Sequence, residues 1–287
     1  MTPADQTSGG SRPPLAERLA HIDRRYLFVL IALAVIVPIL YPLHLPVTVS
    51  RRTQDVYDVV ESLKPGSVVC ISFDFGPASM PELRPMAVAL LHHCFQRNLR
   101  VLVMTLVADG PVLAEGILQE VAKEHHKVAG RDYINLGFKY GFTSVILGMG
   151  ADIPQVFPKD YGQKSTASQP VMEGIRNLSN IDLVVDISSS SAPAAWITFA
   201  GARFNVKVAA GVTAVMIVDF YPYLQTKQLE GMIGGLKGAA EYEVLVHHPG
   251  GGMTGMDSQS IAHIVIVAFV LLGNVGYLAM RRSRRRG

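Results

Sequence analysis

The sequence predicts an α/β protein: a doubly wound, mainly parallel sheet of about five strands, inserted between two transmembrane helices. Three observations predict it. Between residues 60 and 245, short β-branched apolar runs alternate with segments of helical periodicity. Those runs are apolar on both faces, as a sheet covered by helices on both sides requires. Each end of the chain also carries a long stretch without a charged residue, 26–50 and 258–280. About 20 mostly apolar residues suffice to cross roughly 30 Å of hydrocarbon.

Taken in order, residues 1–25 are polar, basic and rich in Gly, Ser and Pro, the composition of a largely disordered tail. The run "LFVLIALAVIVPILYPL" predicts the first transmembrane helix over 26–46. It is too long for the apolar core of a signal peptide, and no small-residue cleavage site follows it. The α/β domain spans 47–246. Its strands are expected at 67–73, 100–107, 133–138, 181–188 and 206–218, the last broken near Gly211. Helices are expected at 84–97, 110–125, 170–178, 193–203 and 224–243, while 142–157 fits either a strand or a glycine-weakened helix. This alternation is Rossmann-like. A flexible linker, 247–257, leads to the second transmembrane helix, 258–280, and an arginine-rich tail, 281–287.

Charge placement bears on topology. The net charge is +3, yet five arginines lie in the closing "RRSRRRG" and the segment between the tails is net acidic. Basic flanks favour the cytoplasmic side of a span. Both termini of this integral membrane protein are therefore expected in the cytoplasm and the central domain outside it, with Arg51 and Arg52 arguing the other way. Beside a span, the arginine tail reads as a topology signal and a contact for anionic lipid, not as a nucleic-acid site. Cys70 and Cys94 sit in apolar runs and read as small buried hydrophobes.

Ligands of open α/β sheets bind at the carboxyl ends of the strands, and three segments fall there. In "FDFGPASMPELRP", Asp74 ends a strand, and Ser79 with Glu82 fits a capping box, suggesting a short turn over 79–83 before the main helix. In "VVDISSSSAPAAW", Asp186 ends a strand. Ser188, Ser189, Ser190 and Ser191 then lead to Pro193 at a helix start, a pattern suited either to an anion or to a serine cap. In "DFYPYLQTKQ", Asp219 follows the last strand, with Tyr221 and Tyr223 as packing aromatics. No glycine-rich phosphate loop and no nucleophile elbow occurs, so no catalytic residue and no cofactor are assigned.

Histidine pairs occur three times, His92–His93, His125–His126 and His247–His248; adjacent helical residues point about 100° apart, so neither helical pair chelates one ion, no Cys or carboxylate cluster joins them at ligand spacing, and no metal site is assigned. Gly231, Gly234, Gly235 and Gly238 in "LEGMIGGLKGAAEYE" form a stripe on the expected 224–243 helix, fit for close packing on the sheet or on another subunit.

The stretch "FDFGPASMPELRP", together with "NLGFKYGFTSVILGMGADI" and "QLEGMIGGLKGAAEYE", resembles a prokaryotic family of two-span membrane proteins without an assigned activity. The resemblance covers most of residues 60–245 and implies a membrane-tethered α/β domain. The functional expectation is a membrane-anchored binding or assembly subunit of a homo-oligomer or larger membrane complex. The alternative is a membrane-tethered enzyme acting on an anionic small molecule or lipid headgroup. A transporter component is a third reading, motivated by His263 and Asn274 within the second span.

Overall fold

The structure is a computed structural model that describes residues 23–43 and 45–284. It forms two compact units: residues up to Leu43 with those from Asp257 onward, and the α/β unit between them. The tail expected at 1–25 lies largely outside the described residues.

In the first unit, helix α1 covers Arg24–Leu40, with Asp23 accepting the Arg25 N–H at its start. The Asp257 carboxylate accepts the Leu43 N–H at 2.9 Å, and the Ser258 hydroxyl donates to the Val35 carbonyl. The expectation of two membrane spans is not supported. α1 has 17 residues, about 25 Å at 1.5 Å per residue, and its first two are arginines. Pro42 and Pro46 lack the N–H that a longer helix needs. Among the described residues, one helix is long and apolar enough to cross a membrane: Gly251–Leu278, 28 residues with a mean hydropathy of 2.2. Little of it is buried, unlike a core helix of similar composition.

The second unit opens with α2 (Arg51–Glu61), β1 (Val68–Asp74), α3 (Met80–Gln96), β2 (Arg100–Thr105), α4 (Gly110–Glu124), β3 (Tyr133–Phe138) and α5 (Phe142–Ala151). It continues with β4 (Leu183–Ser188), a helix α6 over 192–204, β5 (Lys207–Val212), α7 (Ile217–Gln225), β6 (Met232–Gly234) and α8 (Gly235–Leu245). Helix α9 then runs over Gly251–Arg284. All six strands are parallel, in the order β3-β2-β1-β4-β5-β6, which is the Rossmann-like order with its reversal between β1 and β4. Val69, Ile71, Phe73, Val185 and Ile187 pack one face against α2, α3, α4 and α8. Cys70, Val184, Val208 and Ala210 pack the other against α5 and α6. Strands buried on both sides are apolar on both faces, so the runs do not alternate.

Several expectations change. The sheet has six strands, because Met232–Gly234 is too short to stand out as an apolar run. The expected helix over 224–243 is therefore split into α7, β6 and α8, and the four glycines do not form a helical stripe. Instead, a Cβ on Gly231 would stand 2.6 Å from the Val56 backbone nitrogen, and one on Gly238 would stand 3.1 Å from the Ile233 backbone. Gly234 faces Ile217, and Gly235, at φ +62°, faces Ala214. All four contacts lie within this unit. Residues 142–157 hold two helices, Phe142–Ala151 and Ile153–Val156, and 170–178 holds a 3-10 turn at Pro170–Met172 rather than a continuous helix.

The capping box does not form. Ser79 makes no side-chain cap, and α3 starts at Met80 with Pro85 inside it. Glu82 instead accepts the Ala214 N–H at 2.8 Å, tying α3 to the loop after β5. The linker expected at 247–257 is helical from Gly251. There the Glu243 carboxylate accepts the N–H groups of Gly250, Gly252 and Met253 at 2.8–3.0 Å, satisfying donors that a helix start leaves open. Glu241, also buried, accepts the Ser50 and Thr53 hydroxyls at 2.6 Å and pairs with Lys237. Burial pushes its carboxyl up, but Lys237 and the hydroxyls outweigh that and hold it below the usual range.

Candidate functional site

Asp74 ends β1 and Asp186 lies two residues before the end of β4, in the two central strands where the sheet order reverses. Ser72 lies opposite Asp186, and Asp74 opposite Ser188. Side chains two apart on a strand share a face, so Asp74 and Asp186 project together toward the side covered by α6. Both are fully buried. Asp74 accepts the Leu106 N–H at 2.5 Å and the Ser72 hydroxyl at 2.7 Å. Neither oxygen of Asp186 receives a donor from another described residue.

Two carboxylates this close in a dry site cannot both be charged. Burial pushes Asp74 up to about 6, against the pull of its donors. Burial first, and then the negative charge of Asp74, hold Asp186 well above the usual carboxylate range. Asp186 thus carries the proton and presents it to Asp74, which the Leu106 N–H and the Ser72 hydroxyl keep ionised. The same burial, with both carboxyls adding to it, pushes the Cys70 thiol up to about 12. Cys70 and Cys94 are free and buried, as read from the sequence.

The serine loop is spent largely on itself. The Ser188 hydroxyl accepts the Ser190 N–H at 2.9 Å and bonds the Ser190 hydroxyl, which accepts the Ala192 N–H. These bonds fix the entry into α6, whose middle, Trp196–Gly201, is π-helical, a local widening that recurs at functional sites. Trp196 in that segment is fully buried, and its indole N–H has no acceptor among the described residues. Ser189 and Ser191 are exposed.

The structure therefore brings Asp74, Asp186, Ser188 and Ser190 together and leaves Ser79 half-buried at the start of α3. Asp219 is exposed in the first turn of α7, outside the buried pair. Tyr221 accepts a hydrogen bond from Arg52 at 2.7 Å, in a cleft of about 750 Å³ that Arg51 and Lys227 also line.

Sequence reasoning missed Ser72, although its i, i+2 spacing from Asp74 placed it on the same face. It also missed the loop after β3. There Tyr140, Phe142, Ser144 and Leu147, with Leu106, line a cleft of about 720 Å³. Around these strand ends stand Val112, Tyr140, Val215 and Val218, each between 67% and 89% exposed. Among the described residues, the group with metal-ligand spacing lies at the other, amino-terminal edge of the sheet: His92, Glu124 and His248.

No protein-family model matches the chain, and no curated protein matches it either. Among solved structures, the crystal structure of AibC aligns at 12% identity with a TM-score of 0.32, covering 78% of this chain and 54% of that one. The chain thus spans about half the length of that protein, and a likeness this distant carries no argument about fold or activity.

Proposed function

We propose that the chain is a membrane-anchored α/β binding or assembly subunit, held by its C-terminal helix and engaging a second copy, or another membrane subunit, through the carboxyl edge of its sheet. One observation carries this reading: Val112, Tyr140, Val215 and Val218 leave large apolar side chains in solvent around one edge of an otherwise well-covered sheet. Such a rim favours association, because each apolar side chain removed from water contributes about 1.5–3 kcal/mol. Basic flanks favour the cytoplasmic side of a span, so the arginines that follow the C-terminal apolar segment support a cytoplasmic C-terminus with the α/β unit on the opposite side.

The test is the mass of the full chain extracted from native membranes in mild detergent, read by light scattering and native mass spectrometry. A multimer or a stoichiometric partner is expected, and Tyr140→Glu with Val215→Lys should release it. A monomer without a partner overturns the proposal.

A second reading, a tethered enzyme acting on an anionic small molecule or lipid headgroup, is favoured by one feature: paired carboxyls, one protonated and one ionised, suit acid–base work. Both are sealed from solvent, so a substrate would have to part the loops after β1 and β4 to reach them. Thermal stabilisation of the full chain by inorganic phosphate or glycerol phosphate, abolished in Asp186→Asn, would support it. An unchanged midpoint with both probes would count against it.

A further inference from the structure

The fold brings together one member of each of the three histidine pairs. His92 lies in the last turns of α3, His125 caps the end of α4, and His248 follows α8. All three helices pack on the same face of the sheet and end at its amino-terminal edge. His92 and His248 stack with ring centroids 3.6 Å apart and planes inclined by 23°. Their Nε2 atoms stand 3.8 Å and 3.6 Å from the same Glu124 Oε2. The other nitrogen of His92, Nδ1, is 2.8 Å from His125 Nε2. His93 turns away to Tyr242 and Glu61, as its position on the helix requires.

We propose that His92, Glu124 and His248 bind a divalent transition-metal ion of the zinc class, with His125 as the residue that positions His92. Two imidazole nitrogens and one carboxylate are a borderline donor set, suited to zinc, cobalt or nickel and poor in the oxygens that magnesium or calcium need. Tetrahedral ligands about 2.0–2.1 Å from zinc lie roughly 3.4 Å apart; the two histidine-to-Glu124 separations must close by only a few tenths of an ångström, and all three donor atoms lie within 4.8 Å of one another. The His248 side chain is 40% exposed, which gives it freedom to turn its lone pair out of the stack.

A hydrogen bond from His92 Nδ1–H to His125 leaves the His92 Nε2 lone pair facing Glu124, the arrangement by which an outer partner sets a ligating histidine. The carbonyl ends of the three helices add a negative field that favours a cation. Three protein ligands leave one tetrahedral position for solvent, and the ion clamps α3, α4 and the segment after α8 at one point. Its occupant does not depend on what docks at the carboxyl edge.

The experiment is calorimetric titration of the full chain, purified in detergent without a polyhistidine tag, with zinc chloride. One equivalent is expected to bind and, at a hundredfold excess over Kd, to raise the unfolding midpoint by about 5–10 °C. Cobalt chloride should give the visible bands of a tetrahedral centre. Glu124→Gln and His248→Ala alter an exposed and a half-buried side chain, and an unchanged metal-free unfolding midpoint checks that each variant folds. Each should weaken binding at least about 100-fold, and His125→Ala about 10–100-fold. His126→Asn and His247→Asn, at exposed positions whose positive φ asparagine tolerates, should leave binding unchanged. Absence of stoichiometric binding, or binding that survives Glu124→Gln and His248→Ala, overturns the proposal.

Discussion

Replacing Asp74 by asparagine tests the shared proton at the centre of the sheet. The substitution keeps the shape of the side chain. Its amide oxygen can still accept the Leu106 N–H, and its amide N–H₂ can donate to Ser72 or Asp186. What disappears is a titration. In the folded chain the carboxyl is raised from an ordinary 3.8 to about 6, so it binds its proton more tightly folded than unfolded. The stability this confers is fully present below about pH 4 and is lost as pH rises through about 6. A shift of this size corresponds to about 3 kcal/mol, or an unfolding midpoint change of about 6–12 °C for a unit of this size. Asp186, raised further, extends the loss to higher pH.

The assay is the midpoint of wild type and Asp74→Asn, as full chains in the same detergent, at half-unit steps from pH 4 to 8. The difference between the two isolates this site from carboxyls that titrate the opposite way, such as Glu241. The variant should match wild type near pH 4 and exceed it by several degrees at pH 7.5. A difference that does not change with pH would refute the reasoning, because the pair would then store no proton.

Glu243→Ala removes the acceptor of three N–H groups at the start of α9 and should cost about 2 kcal/mol by chemical denaturation. Gly231→Ala places a methyl 2.6 Å from backbone and should lower stability by about 1–3 kcal/mol or abolish expression. Gly116→Ala, in α4 with open space around it, should raise stability by about 0.5–1 kcal/mol in the same assay. Val270→Arg in the middle of the apolar segment should cost about 2.5–3.5 kcal/mol of insertion and move the chain out of the alkali-resistant membrane fraction. Retention there would argue against a span.

By itself the sequence determined the layered body and its C-terminal apolar rod, because both are written in neighbouring residues. Runs such as "SVVCISF" and "LVVDIS" carry apolar residues on both faces, and only a sheet covered on both sides buries them. The carboxyl ends of strands followed from the same runs, so Asp74 and Asp186 were legible as residues, though not as a pair. Their meeting depends on β4 lying beside β1, a choice of strand order that leaves no trace in local periodicity. The histidines show the same limit more sharply. Adjacent positions on one helix diverge, and only three helix ends converging on one sheet edge set His92, His125 and His248 side by side. Gly231 and Gly238 looked like one helical face until a three-residue strand intervened, since so short a strand is specified by its neighbour β5 and not by its own residues. The length of α1 was settled the same way: an uncharged stretch shows where lipid is tolerated, but the helix reaches only as far as its backbone hydrogen bonds continue.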